Sequence, residues 1–269
     1  MIWKRSDEFC SVVLRMGSFH ICCTVLALIG KRFDGSGLQD LLVESGVVAE
    51  GSLPGVMNGK HYNRGVRVHK LLMEALVRLQ LEQFLDWYMM QEREEDENVN
   101  FEDLRTRVQQ LHTTGCDPSA FAAFCNCTAF LRFHKLYVDY CDQQTHPMSL
   151  YWQSYIDLVQ LLLRLIRATC EGHWQLHKAC VRDLLPWMFA YDRTHYARYM
   201  SVYYCTMAAL PTTHPDAEQA LSQGEFVVQR SNKPFAQVAV DLSIGQTISR
   251  DTKTSDGTIA FSTNASATQ

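Results

Sequence analysis

Several sequence motifs that commonly mark a function are missing from this chain of 269 residues. It contains neither of the phosphate-binding loops G-x-x-x-x-G-K-[ST] and G-x-G-x-x-G, and no G-x-S-x-G nucleophile elbow. Its ten cysteines lack the repeated paired spacing of a zinc module or a small secreted scaffold. These absences remove the usual sequence support for a nucleotide loop, a serine hydrolase or a disulfide-rich domain.

The chain also lacks a long apolar run and an excess of positive charge. Its most apolar segment, residues 18–30, is too short to span a bilayer, and Lys31 and Arg32 follow it at once without a cleavage pattern. We interpret this segment as a buried helix, and we expect an intracellular protein with reduced thiols and no membrane segment. The formal net charge of -4 gives no overall reason to bind nucleic acid, so only a local basic surface could do so.

What the sequence does contain is apolar residues at helical spacing, which predicts a mainly α fold built as a helical array. At the front, residues 8–33 predict a short N-terminal strand-helix unit, because a β-branched run precedes an apolar helix. Near the end, EFVVQR and FAQVAVD alternate apolar and polar residues around SNKP, which predicts a β-hairpin. The other predicted helices are 37–46, about 66–90, 101–112, 118–141 and 151–170.

Shifts in composition divide the chain into four segments. The acidic run at 92–97 is the best internal boundary, and its composition is typical of a solvated linker rather than of a metal cage. The predicted segments are an N-terminal strand-helix unit with a long helix at 1–91, an acidic linker with a short helix at 92–116, a helical region at 117–223, and a β-hairpin with a loosely ordered tail at 224–269.

The most basic stretch is KHYNRGVRVHK at 60–70. On a helix, Arg67 and Lys70 share a face and could meet phosphates, although an exposed helix start explains the same residues. The candidate nucleic-acid-binding residues are Lys60, Arg64, Arg67 and Lys70.

The stretch PWMFAYDRTHYARYMSVYY at 186–204 is rich in aromatic rings. Its spacing predicts a helix with an aromatic stripe, with Asp192 at the N-cap position. We favour a packed junction between helices, in which polar neighbours bond the tyrosine hydroxyls, over a surface that stacks bases. The residues of this aromatic junction are Asp192, Tyr196, Arg198, Tyr199 and Tyr203.

Cys170, His173, His177 and Cys180 would lie on one helical face. The outer pair would be about 15 Å apart along the axis, which is beyond the reach of one ion. No Glu follows His173 as in the helical zinc-protease signature. We therefore favour packing and assign no metal site, and a metal-binding enzyme that uses His173 and His177 is the third alternative for the function.

The aromatic stretch, followed by LPTTHPDAEQALSQGEFVVQ and NKPFAQVAVD, resembles uncharacterised transposon-derived proteins of animal genomes. GLQDLLVESGVVAEGS, GKHYNRGVRVHKL and YWQSYIDLVQLLLRLIRA are similar to the same family, in the same order. The resemblance implies a relationship to RNase H-like transposases and a truncated RNase H-like α/β core. In such enzymes acidic residues hold a divalent metal, such as Mg²⁺, for cutting and joining DNA.

The chain departs from the family pattern at both ends. It begins inside the strand-helix unit, so we expect the early strands that bear the first acid to be absent. Gly245 and Gln246 stand where adjacent glutamates would fall. The resemblance therefore implies an inactive fragment, without an intact catalytic site or a cofactor, and it assigns no catalytic residue. The alternative is a helical module that binds DNA or a protein partner, and DNA binding would agree with a nuclear location.

Overall fold

The structure, a computed structural model, describes residues 8–91, 98–115, 117–233 and 235–251. These residues form twelve α-helices, one short 3-10 helix at Glu50–Ser52 and two strands, which confirms the predicted mainly α class. The helices are α1 Ser18–Arg32, α2 Leu38–Glu44, α3 Leu53–Met57, α4 Tyr62–Met90, α5 Phe101–Thr113, α6 Pro118–Cys125, α7 Thr128–Asp142, α8 Pro147–Glu171, α9 Trp174–Ala190, α10 Thr194–Thr213, α11 Pro215–Ser222 and α12 Val240–Asp251.

By their contacts, the residues group into two compact units. Of the described residues, the first unit combines those within 8–71 and 157–251, and the second consists of those within 72–156. This grouping follows contacts in space, whereas the four predicted segments follow the sequence, and those segments stay a prediction. The predicted acidic linker at 92–97 lies outside the described residues.

The apolar segment at the front of the chain forms α1, which is a core helix of the first unit. Its fully buried side chains are Ile21, Val25, Leu26, Leu28 and Ile29. A Cβ at Gly30 would collide with the Met57 carbonyl, and one at Gly59, where φ is +70°, would collide with the Cys23 carbonyl. Backbone therefore packs directly on backbone between α1 and the α3 region. No helix in the described ranges is long and apolar enough to cross a membrane.

The helices α9 and α10 pack against each other in the same unit, around a buried group of rings. Trp174, His177 and Phe226 have ring centroids between 5.2 and 5.5 Å apart. The Arg15 guanidinium lies 5.4 Å from the Phe226 ring centroid and donates a 2.9 Å hydrogen bond to the Phe226 carbonyl. Arg15 thus ties the segment before α1 to the segment before the hairpin.

The second unit has an aromatic core centred on Phe84 of α4, which is fully buried. Phe133, Tyr137 and Tyr140 of α7 meet the Phe84 ring edge to face, at centroid distances of 5.4 to 5.6 Å. Such edge-to-face pairs add to the stabilisation that burial provides. This core explains why α7 repeats aromatic residues at helical spacing.

The predicted β-hairpin is confirmed as an antiparallel pair, β1 Val227–Gln229 and β2 Gln237–Ala239, with Val228 opposite Val238. The strand predicted within residues 8–17 is wrong, because residues 12–17 form no regular element. The only sheet in the described part of the chain is the hairpin, so this segment has no strand with which to pair its backbone groups. It is followed directly by α1.

Candidate functional site

The first turns of α1 and α4 and one face of α12 enclose a cleft of about 500 Å³. It is lined by Phe19, His61, Tyr62, Arg64, Leu242 and Gln246, among others. A second pocket of about 540 Å³ shares Phe19, Leu242 and Gln246 with it. A narrower cavity of about 210 Å³ shares Phe19, Tyr62 and Leu242 with the cleft and reaches Cys170 and Gln237. We call these three spaces the cleft, the side pocket and the cavity.

Asp241, at the start of α12, determines how α1 begins. Gly17 precedes α1 and has no side chain to cap it, so the Asp241 carboxylate accepts hydrogen bonds from the Phe19 and His20 amides at 3.2 and 3.0 Å. A Cβ at Gly17 would collide with this carboxylate. The carboxylate also lies 2.7 Å from Nδ1 of His20, which orients that imidazole. Asp241 therefore acts as an N-cap supplied by a distant helix.

The thiols and the phenol around the cavity remain protonated. Burial raises the pKa of the Cys22 thiol, and neighbouring thiols and Asp241 raise it further. Burial also raises the pKa of Cys170 and of the Tyr62 hydroxyl. A nucleophilic cysteine needs a lowered pKa, so the cavity is suited to binding through neutral groups rather than to thiolate chemistry.

Of the four predicted nucleic-acid-binding residues, the structure places Lys60 just before α4, and Arg64, Arg67 and Lys70 within the N-terminal third of that helix. The side chains of Lys60, Arg64, Arg67 and Lys70 are all exposed. Arg64 lines the cleft, and its guanidinium donates a 2.7 Å hydrogen bond to the Ser52 hydroxyl. The other three lie outside the linings of the cleft, the side pocket and the cavity.

The structure separates the residues of the predicted aromatic junction. Tyr203 is buried and shares a 3.0 Å hydrogen bond with the His177 ring, and the hydroxyl of half-buried Tyr196 donates to the His20 carbonyl at 3.4 Å. Tyr199 and Arg198 are exposed, and the Arg198 guanidinium lies 5.7 Å from the Tyr199 ring centroid.

The expected N-cap at Asp192 is wrong. Asp192 has a φ of 52°, in the left-handed region, and α10 starts after Arg193, which makes no capping hydrogen bond through its side chain. Asp tolerates the left-handed conformation, which suits the tight turn from α9 to α10. Asp192 is therefore a residue of this turn and not the N-cap that the sequence pattern predicted.

The two histidines of the third alternative do not converge on one point. His173 is exposed and caps α9, because its Nδ1 accepts a 3.1 Å hydrogen bond from the Leu176 amide. His177 is fully buried among aromatic rings. In the parts of the chain that the structure describes, no three His, Cys, Asp or Glu residues are grouped so that they could hold a metal ion.

The positions at which the resemblance implies lost glutamates lie beside Asp241. Gly245 and Gln246 both line the side pocket, together with Asp241. The Asp241 carboxylate is engaged by two backbone amides and the His20 ring, and neither neighbour offers a second carboxylate. Hard divalent cations such as Mg²⁺ need carboxylate or carbonyl ligands. The described residues here do not fit a divalent-metal site.

Sequence reasoning missed Asp241 and His20 as site residues. Asp241 follows an apolar strand, and its partner amides are more than two hundred residues away in the sequence. The one local signal was Gly17, a helix start with no capping side chain of its own, which calls for a partner from elsewhere.

A family model described as "Domain of unknown function (DUF8702)" matches residues 1–269. The chain belongs to this family. No curated protein and no solved structure matches the chain. The match to this family includes every residue of the cleft, the hairpin and α12.

Proposed function

We propose that this DUF8702 chain is a DNA-binding module that meets phosphates through Lys60, Arg64, Arg67 and Lys70, which we call the basic face. One observation carries the proposal: all four cations are exposed in a stretch, residues 51–73, that contains no Asp or Glu. Exposed cations that release counterions from DNA supply most of the affinity of nonspecific binding. The chain as a whole has a net negative charge, so residues 51–73 form a local basic surface on an otherwise acidic protein.

The surroundings of other exposed arginines support the same interpretation. Arg78 pairs with Glu74, Arg107 with Asp103, and Arg167 with Glu171, each within one helix. None of the four side chains of the basic face forms an ion pair with a described residue. Cations without acidic partners are available to external phosphates.

The experiment compares two double variants of equal charge. Arg67→Gln/Lys70→Gln removes two cations of the basic face, and Arg105→Gln/Lys135→Gln removes two exposed cations from other helices. We expect the first variant to bind duplex DNA about tenfold more weakly. We also expect its plot of log affinity against log salt concentration to become less steep by about 0.9 for each lost phosphate contact. Fluorescence anisotropy at several salt concentrations measures both quantities.

The control variant should keep the wild-type affinity and the wild-type salt slope. Equal losses in the two variants would mean that net charge alone matters, and no loss in the first would reject the basic face. A DNA-binding role also suggests a nuclear location, which imaging of the tagged full chain in cells tests.

We further propose that the module descends from a transposon-derived, RNase H-like protein and has lost DNA cleavage. The support is the chain-long resemblance, together with Gly245 and Gln246 beside Asp241 in the side pocket. The test is incubation of the purified chain with plasmid DNA and Mg²⁺ or Mn²⁺. We expect the plasmid to remain intact. If the wild type cleaves the plasmid and the Asp241→Asn variant does not, the proposal that the chain has lost DNA cleavage is wrong.

A further inference from the structure

The cleft and the cavity adjoin each other, since Phe19, Tyr62, Asn63 and Leu242 line both. One end of this combined space carries the Arg64 guanidinium and the His61 ring. The other end is narrow and reaches inward to β2. A ligand that occupies both meets the Arg64 guanidinium in the cleft and the rings of Phe19 and Tyr62 in the cavity.

The cation end suits an anion, and the position of Asp241 restricts where that anion binds. A helix N-terminus commonly attracts a phosphate, but the first amides of α1 are already engaged by the Asp241 carboxylate. An anion is therefore repelled from that side and attracted to the Arg64 guanidinium, and the His61 ring in the same lining can donate a hydrogen bond to it. Arg64 already lies 2.7 Å from the Ser52 hydroxyl, so its guanidinium is held in place.

The inner end is suited to an aromatic ring that carries hydrogen-bonding groups. The rings of Phe19 and Tyr62 meet edge to face at a centroid distance of 5.0 Å and supply apolar walls. Gln237 also lines the cavity, and its Oε1 is buried without a hydrogen-bond partner among the described residues. No described residue forms a hydrogen bond with the Tyr62 hydroxyl. The Gln237 oxygen lies against Gly172 and has no accessible surface, so the hydrogen-bonding group that the cavity offers to a ligand is the Tyr62 hydroxyl, which can donate or accept.

We propose that the cleft and the cavity together hold one unpaired nucleotide, with its phosphate at Arg64 and His61 and its base in the cavity. This inference rests on the proposed DNA binding, and it specifies single-stranded DNA as the preferred form. An inorganic anion would leave the cavity unfilled, and a purely apolar ligand would leave the Arg64 guanidinium and the Tyr62 hydroxyl without a partner on the ligand. A base within a duplex cannot enter, because its hydrogen-bonding edge is engaged with its complement.

The same chemistry is present in a free nucleoside monophosphate and in a nucleotide of a single strand. Each is therefore a separate arm of the test. The probes are a labelled single-stranded oligonucleotide of about 10 nucleotides, which is within the site size of one binding domain, the same strand annealed to its complement, and AMP, CMP, GMP and TMP individually. Anisotropy measures the oligonucleotides, and calorimetry measures the monophosphates.

The decisive variant is Leu242→Trp, because Leu242 lines both the cleft and the cavity and an indole would fill the space. Its matched control is Ile244→Trp, at an exposed position of the same helix that lies outside the lining of either space. Tyr62→Phe keeps the ring and removes only the hydroxyl, so it serves if the indole disturbs folding. Circular dichroism and thermal unfolding check each variant.

We expect the wild type to prefer the single strand over the duplex by about tenfold, the effect of stacking one base. Leu242→Trp should remove this preference and leave duplex affinity unchanged, Tyr62→Phe should reduce it about threefold, and Ile244→Trp should change nothing. A wild type that binds both forms equally, or a preference that survives in Leu242→Trp and Tyr62→Phe, would overturn the inference while DNA binding stands.

The remaining outcomes separate the two proposals. If a monophosphate binds and Leu242→Trp abolishes its binding, while both oligonucleotides fail to bind, the nucleotide site stands and the DNA-binding proposal fails. If no nucleotide in any form binds, both proposals fail.

Discussion

At the scale of single residues, His177 shows how burial fixes a protonation state. The ring is fully buried, lies 5.5 Å from the Trp174 ring and shares a hydrogen bond with Tyr203. Burial, with a smaller contribution from the Arg15 charge, lowers the pKa of His177 to about 3. The folded protein therefore holds a neutral imidazole near neutral pH, whereas in an unfolded chain the same imidazole is half protonated at pH 6.5 and mostly protonated below it.

We expect the free energy of unfolding to fall as the pH is lowered from 6.5 toward 3. In this window the unfolded state binds a proton at His177 that the folded state does not, so the stability that is present above 6.5 is progressively lost. Each pH unit well inside the window removes about 1.4 kcal/mol per such histidine. His69, whose pKa burial lowers to about 4, contributes in the same direction. Urea unfolding at a series of pH values measures the slope.

Two variants separate His177 from the other titrating groups. His177→Gln is expected to be less stable than the wild type at pH 7 but to show a shallower fall with acidification. His195→Gln, at an exposed histidine, should reproduce the wild-type slope. If His177→Gln loses stability with acid as steeply as the wild type does, the buried neutral imidazole is not the cause.

At the scale of elements, the start of α1 depends on α12. We expect Asp241→Ala to lower the free energy of unfolding by about 1 kcal/mol, the usual cost of losing an N-cap. Gly17→Ala should have a similar effect, since its φ of -71° suits alanine and the atoms nearest to the added methyl group belong to the Asp241 side chain, which it would displace. Urea unfolding of both single variants and the double variant tests this coupling.

The double variant distinguishes a shared cause from two independent ones. If Gly17 serves only to admit Asp241, the double variant should be little worse than either single variant. Ser243→Ala, on the same helix, is the control and should change stability by less than about 0.5 kcal/mol. Additive losses in the double variant would show that Gly17 acts on something other than the cap.

At the scale of the whole molecule, the periodic features of the sequence predicted much of the fold. The apolar run of α1, the long α4 and the alternation around the hairpin each carry a local signal, and each was found near its predicted position. The strand at 8–17 failed because its β-branched residues describe a preference that only a neighbouring strand can satisfy. A local pattern cannot show whether that neighbour exists.

The candidate site was less predictable than the fold, for the same reason. The exposed cations Arg64, Arg67 and Lys70 could be selected from the sequence, because a local cluster of basic residues is visible there without knowledge of any contact. The cap at Asp241 and the cavity at Gln237 depend on contacts between the two ends of the chain. No periodicity encodes such contacts, so only the folded arrangement of the first unit reveals them.

Hydrogen bonds between α1 and the turn from α9 to α10 should make the first unit unfold cooperatively. The Arg193 guanidinium donates a 2.7 Å hydrogen bond to the Ala27 carbonyl, and Lys31 Nζ donates to the Tyr191 carbonyl at 3.3 Å. We therefore expect the buried amides of α1 to exchange with solvent only when α9 and α10 also open, with opening free energies equal within about 1 kcal/mol. Hydrogen exchange measured by mass spectrometry on the full chain tests this.

Arg193→Gln provides the perturbation, because it removes the bond to α1 from a residue that lies just before α10. Arg182→Gln is the control, since its exposed side chain bonds only the adjacent Asp183 within the same helix. If the first unit is cooperative, Arg193→Gln should speed exchange in α1, α9 and α10 by the same factor, because the buried amides of all three helices then exchange through one shared unfolding event. Faster exchange confined to α1 would show that this helix opens by itself, and that its bonds to Tyr191 and Arg193 hold it in place without making it part of one cooperative unit.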